Sequence, residues 1–271
     1  LHQPKPDLHV SYSLFNPRKK YSLFNSNRKL VKMNTHFELE KIYEFPNYIY
    51  FHPKSFINKT TEQQKFLDII KSKDKNIVLD LRSNGGGDNW FARELVKRIF
   101  TKNEKIPQSK KKQIVSGLFE IGMCYTYLLI ESDIAIPYCK ATKEFYKEHT
   151  YSEIFESWLQ IEQDEKYEGQ RQFEFTKKIV LIIDSGCASS CETVVEKLQL
   201  SHPKVTVIGL NTAGALLYSN GITIMLPKSG VVATIPTLFN DYDNHADETV
   251  GYEPHIKKDY IDFDKDVLEL F

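Results

Sequence analysis

The chain has no run long and apolar enough to cross a bilayer. Hydrophobic residues make up 41% of its 271 positions but are interrupted throughout by charge, and mean hydropathy is negative, so a soluble globular protein without a membrane span is expected. Neither sign of charge prevails: 36 Lys and Arg face 36 Asp and Glu. That balance removes the broad positive field of a nucleic-acid binder. Cysteine is sparse, with four residues. Only Cys187 and Cys191 lie close in sequence, and no second Cys or His pair follows at zinc-ligand spacing. The acidic stretch 241–247 lacks the glycine and terminal glutamate of a calcium loop. Neither the dinucleotide fingerprint nor the Gly-Lys-Ser/Thr phosphate loop occurs. No metal and no cofactor are therefore expected. Leu1-His2-Gln3-Pro4 has no signal-peptide character, and a first residue other than Met suggests a processed or trimmed chain.

What is present centres on residues 178–192. Ile179 to Ile183 is an uninterrupted apolar, largely β-branched run, which reads as a strand buried on both faces, with helices above and below a parallel sheet. Asp184-Ser185-Gly186 ends it, Ala188 to Cys191 is small, and Glu192 to Leu198 has helical apolar spacing. Ser189 and Ser190 thus fall between a buried strand and a helix N-terminus, where unpaired N–H groups favour an oxyanion. The plainer reading of these serines is a helix cap. A second buried strand, Asn76 to Arg82, runs into Ser83-Asn84-Gly85-Gly86-Gly87-Asp88. Three successive glycines let bare backbone approach a neighbour, either a phosphate or a developing oxyanion.

In chain order, Asp80-Leu81-Arg82-Ser83-Asn84-Gly85-Gly86-Gly87, Gly186-Cys187-Ala188-Ser189-Ser190-Cys191-Glu192, Ile208 to Gly214, Leu226 to Gly230 and Glu248 to Ile256 resemble the tail-specific, or C-terminal processing, serine peptidases. That family includes the tricorn core protease. Each piece is weak singly; five in the family's order, from about Tyr48 to the C-terminus, are specific. The resemblance implies an α/β, ClpP/crotonase-like core of stacked βαβ units, a peptide or protein substrate, and an extracytoplasmic (periplasmic or secreted) location. It implies Ser189 as nucleophile, with the Ser190 N–H and a glycine-loop N–H (Gly86 foremost, beside Gly85) as oxyanion donors. The bacterial branch of the family carries a lysine where this chain has Ala215, so a Ser–Lys dyad at that position is excluded. In the tricorn-like branch the base is a histidine from upstream of the glycine strand, oriented by a glutamate. Glu248, three residues before Gly251, matches the glutamate. His52, at the end of the Tyr48–Phe51 strand, is the first candidate base, His36 the second; the loop residue His245 lacks a partner.

The remainder is read around that core. Residues 1–45 hold a near-repeat, Tyr12-Ser13-Leu14-Phe15-Asn16 and Tyr21-Ser22-Leu23-Phe24-Asn25, taken as a small N-terminal β-meander before a core of 46–271. This stretch is too short for the PDZ domain common in the family, since independent domains usually exceed about 50 residues. Thr60 to Lys71 and Trp90 to Phe100 read as amphipathic helices. Residues 101–174 are least family-like and are taken as a helical insertion that either caps a cleft or merely packs, with Lys110-Lys111-Lys112 as a solvated turn. Gly221 to Pro227 and Gly230 to Pro236 form an expected hairpin, and 262–271 a closing helix. Cys187 and Cys191 could pair across the serine turn, stay thiols, or serve a redox role, although redox pairs usually have two intervening residues. Cys124 and Cys139 could pair in an exported protein. The rival to a peptidase is a binding protein on the same fold, holding a peptide or an apolar ligand without acylation.

Overall fold

A computed structural model describes residues 12–14, 29–100, 110–114, 158–161, 169–170, 174–216, 218–225, 231–241 and 250–271. The chain divides into two units, one formed by Leu1–Asn27, Lys110–Gln163 and Leu217–Asp241, the other by Arg28–Ser109, Asp164–Leu216 and Tyr242–Phe271.

The second unit is a six-stranded sheet. Strands β3 (Ile42–Glu44), β4 (Tyr48–Phe51), β5 (Asn76–Asp80), β8 (Ile179–Ile183), β9 (Val205–Gly209) and β12 (Ile256–Lys257) lie in the spatial order β12-β9-β8-β5-β4-β3. All neighbours run parallel except β3, which pairs antiparallel with β4. The apolar run of β8 is buried at every position, as a central parallel strand requires. Parallel strands need crossovers, and helices supply them: α1 (Thr61–Ser72) between β4 and β5, α2 (Trp90–Ile99) after β5, and α3 (Ser190–Ser201) between β8 and β9. The start of α1 is a capping box, with Gln63 N–H donating to Thr60 Oγ1 at 3.1 Å and Thr60 N–H to Gln63 Oε1 at 3.4 Å.

Alternation along the strands sends Phe51, Leu79, Leu181 and Ile183 to one face, where they pack with Phe66, Phe91, Leu95, Val194 and Leu198 of the three helices. Tyr50, Val78, Val180 and Ile182 point to the other face. Helices on both faces are the sequence expectation for such strands. Instead, the second face is closed by Val31, partly buried Phe37 and, near the C-terminus, Ile261, Phe263 and Val267. Aromatic rings give these short segments enough apolar area to replace a helix; Phe37 stacks on Tyr50 with centroids 3.9 Å apart and meets Phe263 edge-on at 5.1 Å. The expected closing helix is a π-helical turn, Phe263–Val267, followed by a 3-10 turn, Leu268–Leu270. Strand β13 (Tyr260–Ile261) pairs with β2 (Lys32–Met33), which ties the two ends of this cover together.

The first unit is an antiparallel sheet around the long strand β11 (Val231–Asp241). Strand β10 (Tyr218–Met225) forms the expected hairpin with it, and β1 (Tyr12–Leu14) pairs with Val231 to Ala233. Residues 1–45 therefore do not stay together, since β2 and β3 are hydrogen-bonded into the other unit. Two segments expected to be turn and helix are strands: β6 (Lys110–Ile114) pairs with both β11 and β7 (Trp158–Ile161). Long-range ladder bonds override local propensity there. The remaining helix expectations between 115 and 157 lie outside the described residues.

At the end of β5, the fully buried Asp80 accepts hydrogen bonds from Tyr50 Oη at 2.6 Å and from Arg82 Nη2 at 2.5 Å and Nε at 2.9 Å. Burial pushes its carboxyl upward, but the Arg82 hydrogen bonds, the charges of His52 and Arg82 and the Tyr50 hydroxyl together hold it below the ordinary aspartate value of 3.8. A depressed carboxyl contributes stability that is complete above the ordinary value and is lost as pH falls through the folded one. Asp80→Asn leaves Arg82 half-enclosed without its counter-ion and should destabilise the fold by about 3–5 kcal/mol at pH 7. Urea unfolding should show that gap shrinking as pH is taken below 3.8; a gap independent of pH contradicts the assignment.

Candidate active site

The loops after β5 and β8 leave the same end of adjacent strands. The first is shaped by Asn84, fully buried, whose Nδ2 donates to Pro53 O at 3.0 Å while its Oδ1 accepts the Gly86 N–H at 2.9 Å. Phe56 N–H donates to Gly86 O at 2.8 Å, and Asp88 N–H donates to Phe56 O at 2.9 Å. The second loop is joined to the first by Asp184, whose Oδ1 accepts from Ser83 N at 2.9 Å and Gly186 N at 2.8 Å, and by Ala188 N–H, which donates to Asn84 O at 3.1 Å. Burial raises the Asp184 carboxyl above its ordinary value against the pull of these backbone donors.

The result is direct contact between the glycine loop and the serine turn. Gly86 has φ +87°, and a Cβ on it would overlap Ala188 O, lie 2.9 Å from Ser190 N and 3.0 Å from Ser189 Cβ. Only a glycine lets the two backbones come so close. A Cβ on Gly85 would meet nothing within 4 Å, so that residue faces open space. Among the described residues the N–H groups of Ser190 and Gly87 donate to no acceptor, whereas that of Gly86, the foremost donor expected from sequence, is taken by Asn84.

Ser189 stands at the N-cap position of α3, but not as an ordinary cap. Thr60, a plain cap in the same chain, has φ −102° and ψ 157°; Ser189 has φ 57° and ψ −122°. A non-glycine residue in that region stores on the order of 1–3 kcal/mol of strain, which persists only when its surroundings impose it. Two features do so. Cys187 and Cys191, both fully buried, are joined by a disulfide across the turn, and Glu192 reaches back so that its Oε2 accepts the Ser189 N–H at 2.9 Å. Glu192 is itself fully buried and also accepts from Ala215 N at 2.9 Å on the same oxygen, and from Thr212 Oγ1 at 2.6 Å and Gly214 N at 2.8 Å on the other. Burial raises its carboxyl above the usual glutamate value, opposed by these donors. Sequence reading passed over Glu192, although the Ser-x-x-Glu spacing of a capping box was there to mark it.

The remaining site residues are placed less closely. Ala215 lies beside Ser189, because both N–H groups share one Glu192 oxygen. Thr212 accepts the Tyr252 N–H at 2.7 Å and packs under Gly251, φ +74°, so the chain just after Glu248 reaches this turn; Glu248 and His245 lie outside the described residues. His52 has its Nε2 3.0 Å from Arg82 O and its Nδ1 3.7 Å from Asp80 Oδ2. His36 is exposed. Among the described residues no histidine nitrogen hydrogen-bonds Ser189 Oγ, and no cluster of His, Cys, Asp or Glu suits a metal ion.

A parallel α/β sheet carrying a strained serine at a helix N-terminus, with glycine backbone pressed against it, is a ClpP/crotonase-like arrangement. The chain belongs to peptidase family S41, whose family model matches residues 47–258. No curated protein sequence matches it. Among solved structures it is similar to mature CPAF, with a TM-score of 0.52 and 14% identity over 78% of this chain and 46% of that one. It is also similar to a chain from Parabacteroides merdae, with a TM-score of 0.51 and 14% identity over 86% of this chain and 59% of that one. At such identities the likeness is one of fold. The chain spans about half the length of these structures.

The contact geometry separates two neighbouring glycines. Gly86→Ala should lower phosphonylation of Ser189 by a fluorophosphonate on the order of a hundredfold and destabilise the fold by about 1–3 kcal/mol. Gly85→Ala should change stability by less than about 1 kcal/mol and leave labelling intact. Equal behaviour of the two variants in labelling and thermal unfolding contradicts the loop contact.

Proposed function

We propose that this chain is a serine peptidase unit that hydrolyses peptide bonds of a peptide or protein substrate through an acyl-enzyme on Ser189. The observation that carries this reading is the contact of Gly86 with a strained Ser189. A carbonyl placed between them would have Ser189 Oγ on its carbon and backbone N–H groups on its oxygen. The hydroxyl adds to the carbonyl carbon and its proton passes to a base. The oxyanion collapses with loss of the amine, which takes that proton, and water then releases the acid. Ser190 N–H is one oxyanion donor. The glycine loop supplies the other, from Gly87 or from Gly86 once it lets go of Asn84. The tricorn-like assignment gives the base to His52 and its orientation to Glu248; to serve, His52 must exchange its contact with Arg82 O for one with Ser189. The Cys187–Cys191 disulfide supports an extracytoplasmic setting.

Two observations favour the non-catalytic alternative: His52 is paired away from Ser189, and Ala215 carries no amine. Fluorophosphonate labelling followed by peptide mass mapping separates the readings. The peptidase reading expects a label on Ser189 and none in Ser189→Ala. It expects labelling slowed about a hundredfold or more in His52→Ala. A folded wild-type chain that takes no label but retains peptide binds without cutting; wild-type labelling in His52→Ala moves the base elsewhere.

A further inference from the structure

The buried carboxylate of Glu192 has a task that capping a helix does not explain. Each oxygen accepts two hydrogen bonds, and the four donors come from two separate turns: Ser189 N–H from the serine turn, and Thr212 Oγ1, Gly214 N–H and Ala215 N–H from the turn after β9. Thr212 Oγ1 accepts the Tyr252 N–H at 2.7 Å and gives its own proton to Oε1, while the other three donors are backbone N–H groups, which cannot accept. Every group facing the carboxylate is therefore a donor, and only an acceptor at both oxygens satisfies them.

We infer that Glu192 is the positioning residue of the Ser189 site. It joins the serine turn to the Thr212–Ala215 turn and holds the Ser189 backbone in its strained conformation. This rests on the reading of Ser189 as nucleophile for its catalytic consequence, but not for the clamp itself. Fixing the Ser189 N–H on Oε2 turns that amide away from the oxyanion and leaves the next one, Ser190 N–H, as donor. It also sets position 215 beside the nucleophile, so whatever occupies 215 shapes the space around Ser189. Because the carboxylate touches no reacting atom, its removal should slow the chemical step and leave substrate affinity largely intact.

Glu192→Gln tests this with little change of shape. The amide offers one acceptor oxygen and one NH2, so the NH2 opposes a backbone donor whichever way it is placed, Gly214 N–H on one side or Ser189 and Ala215 N–H on the other. Amide hydrogen exchange at Ser189, Gly214 and Ala215 should accelerate together by about tenfold or more, without any need for activity. Phosphonylation by a fluorophosphonate should fall by about a hundredfold, and with a peptide substrate the loss should appear in kcat, with KM within about threefold. Thr60→Ala, which removes the cap of α1 and no bond of the serine turn, reports stability alone: its melting temperature should fall while labelling stays within about threefold. Native exchange rates in Glu192→Gln, or equal labelling losses in both variants, would overturn the inference. If Glu192→Gln does not fold, exchange in the wild-type chain decides. The three amides must then be protected as one group and exchange more slowly than Gly85; exchange at the Gly85 rate overturns the inference. If the wild-type chain takes no label at all, the nucleophile reading fails and the exchange data still decide the role of Glu192.

Discussion

The approach of Gly86 to the backbone of Ser189 is the constraint on which the rest of the site depends. The two residues are far apart in sequence and lie on loops leaving adjacent strands, with no side chain between them. The sheet makes the meeting possible, because parallel pairing of β5 with β8 delivers both loops to one edge. The glycine makes it close. Any larger residue would push the serine turn away and open the space in which a carbonyl oxygen would be held.

Buried carboxylates then fix what the sheet only brings near. Asp184 gathers N–H groups from both loops, Glu192 ties the serine turn to the turn after β9, and Asp80 holds Arg82 at the base of the glycine loop. Each would be unfavourable alone in an apolar interior. Each instead satisfies backbone donors that turns and helix ends leave without partners. The Cys187–Cys191 bond closes the same turn covalently. So many local restraints on one residue fit a backbone conformation that Ser189 would not adopt unaided.

Much of this was legible in the sequence because its signals are local. The apolar runs of β5 and β8, the amphipathic spacing of α1, the β10–β11 hairpin and the glycine triplet each depend on residues within a few positions of one another. What escaped reading depends on partners far along the chain. The second sheet face is covered by aromatics such as Phe37 and Phe263, which no periodicity assigns to each other. Lys110–Ile114 and Trp158–Ile161 look like turn and helix until paired across a long connection. At the site, Ser189 and the glycine loop could be named in advance, but the role of Glu192 depends on Thr212 and Ala215, and the contacts of His52 depend on Asp80 and Arg82. A histidine at a strand end announces itself; the direction its ring takes does not.

The most direct measurement is a crystal structure of the chain after reaction with a fluorophosphonate. The account predicts phosphorus bonded to Ser189 Oγ and the phosphonyl oxygen about 2.7–3.1 Å from the Ser190 nitrogen and from one backbone nitrogen of the Gly85–Gly87 loop. A phosphonyl oxygen directed into solvent, or an adduct formed on another residue, would contradict it.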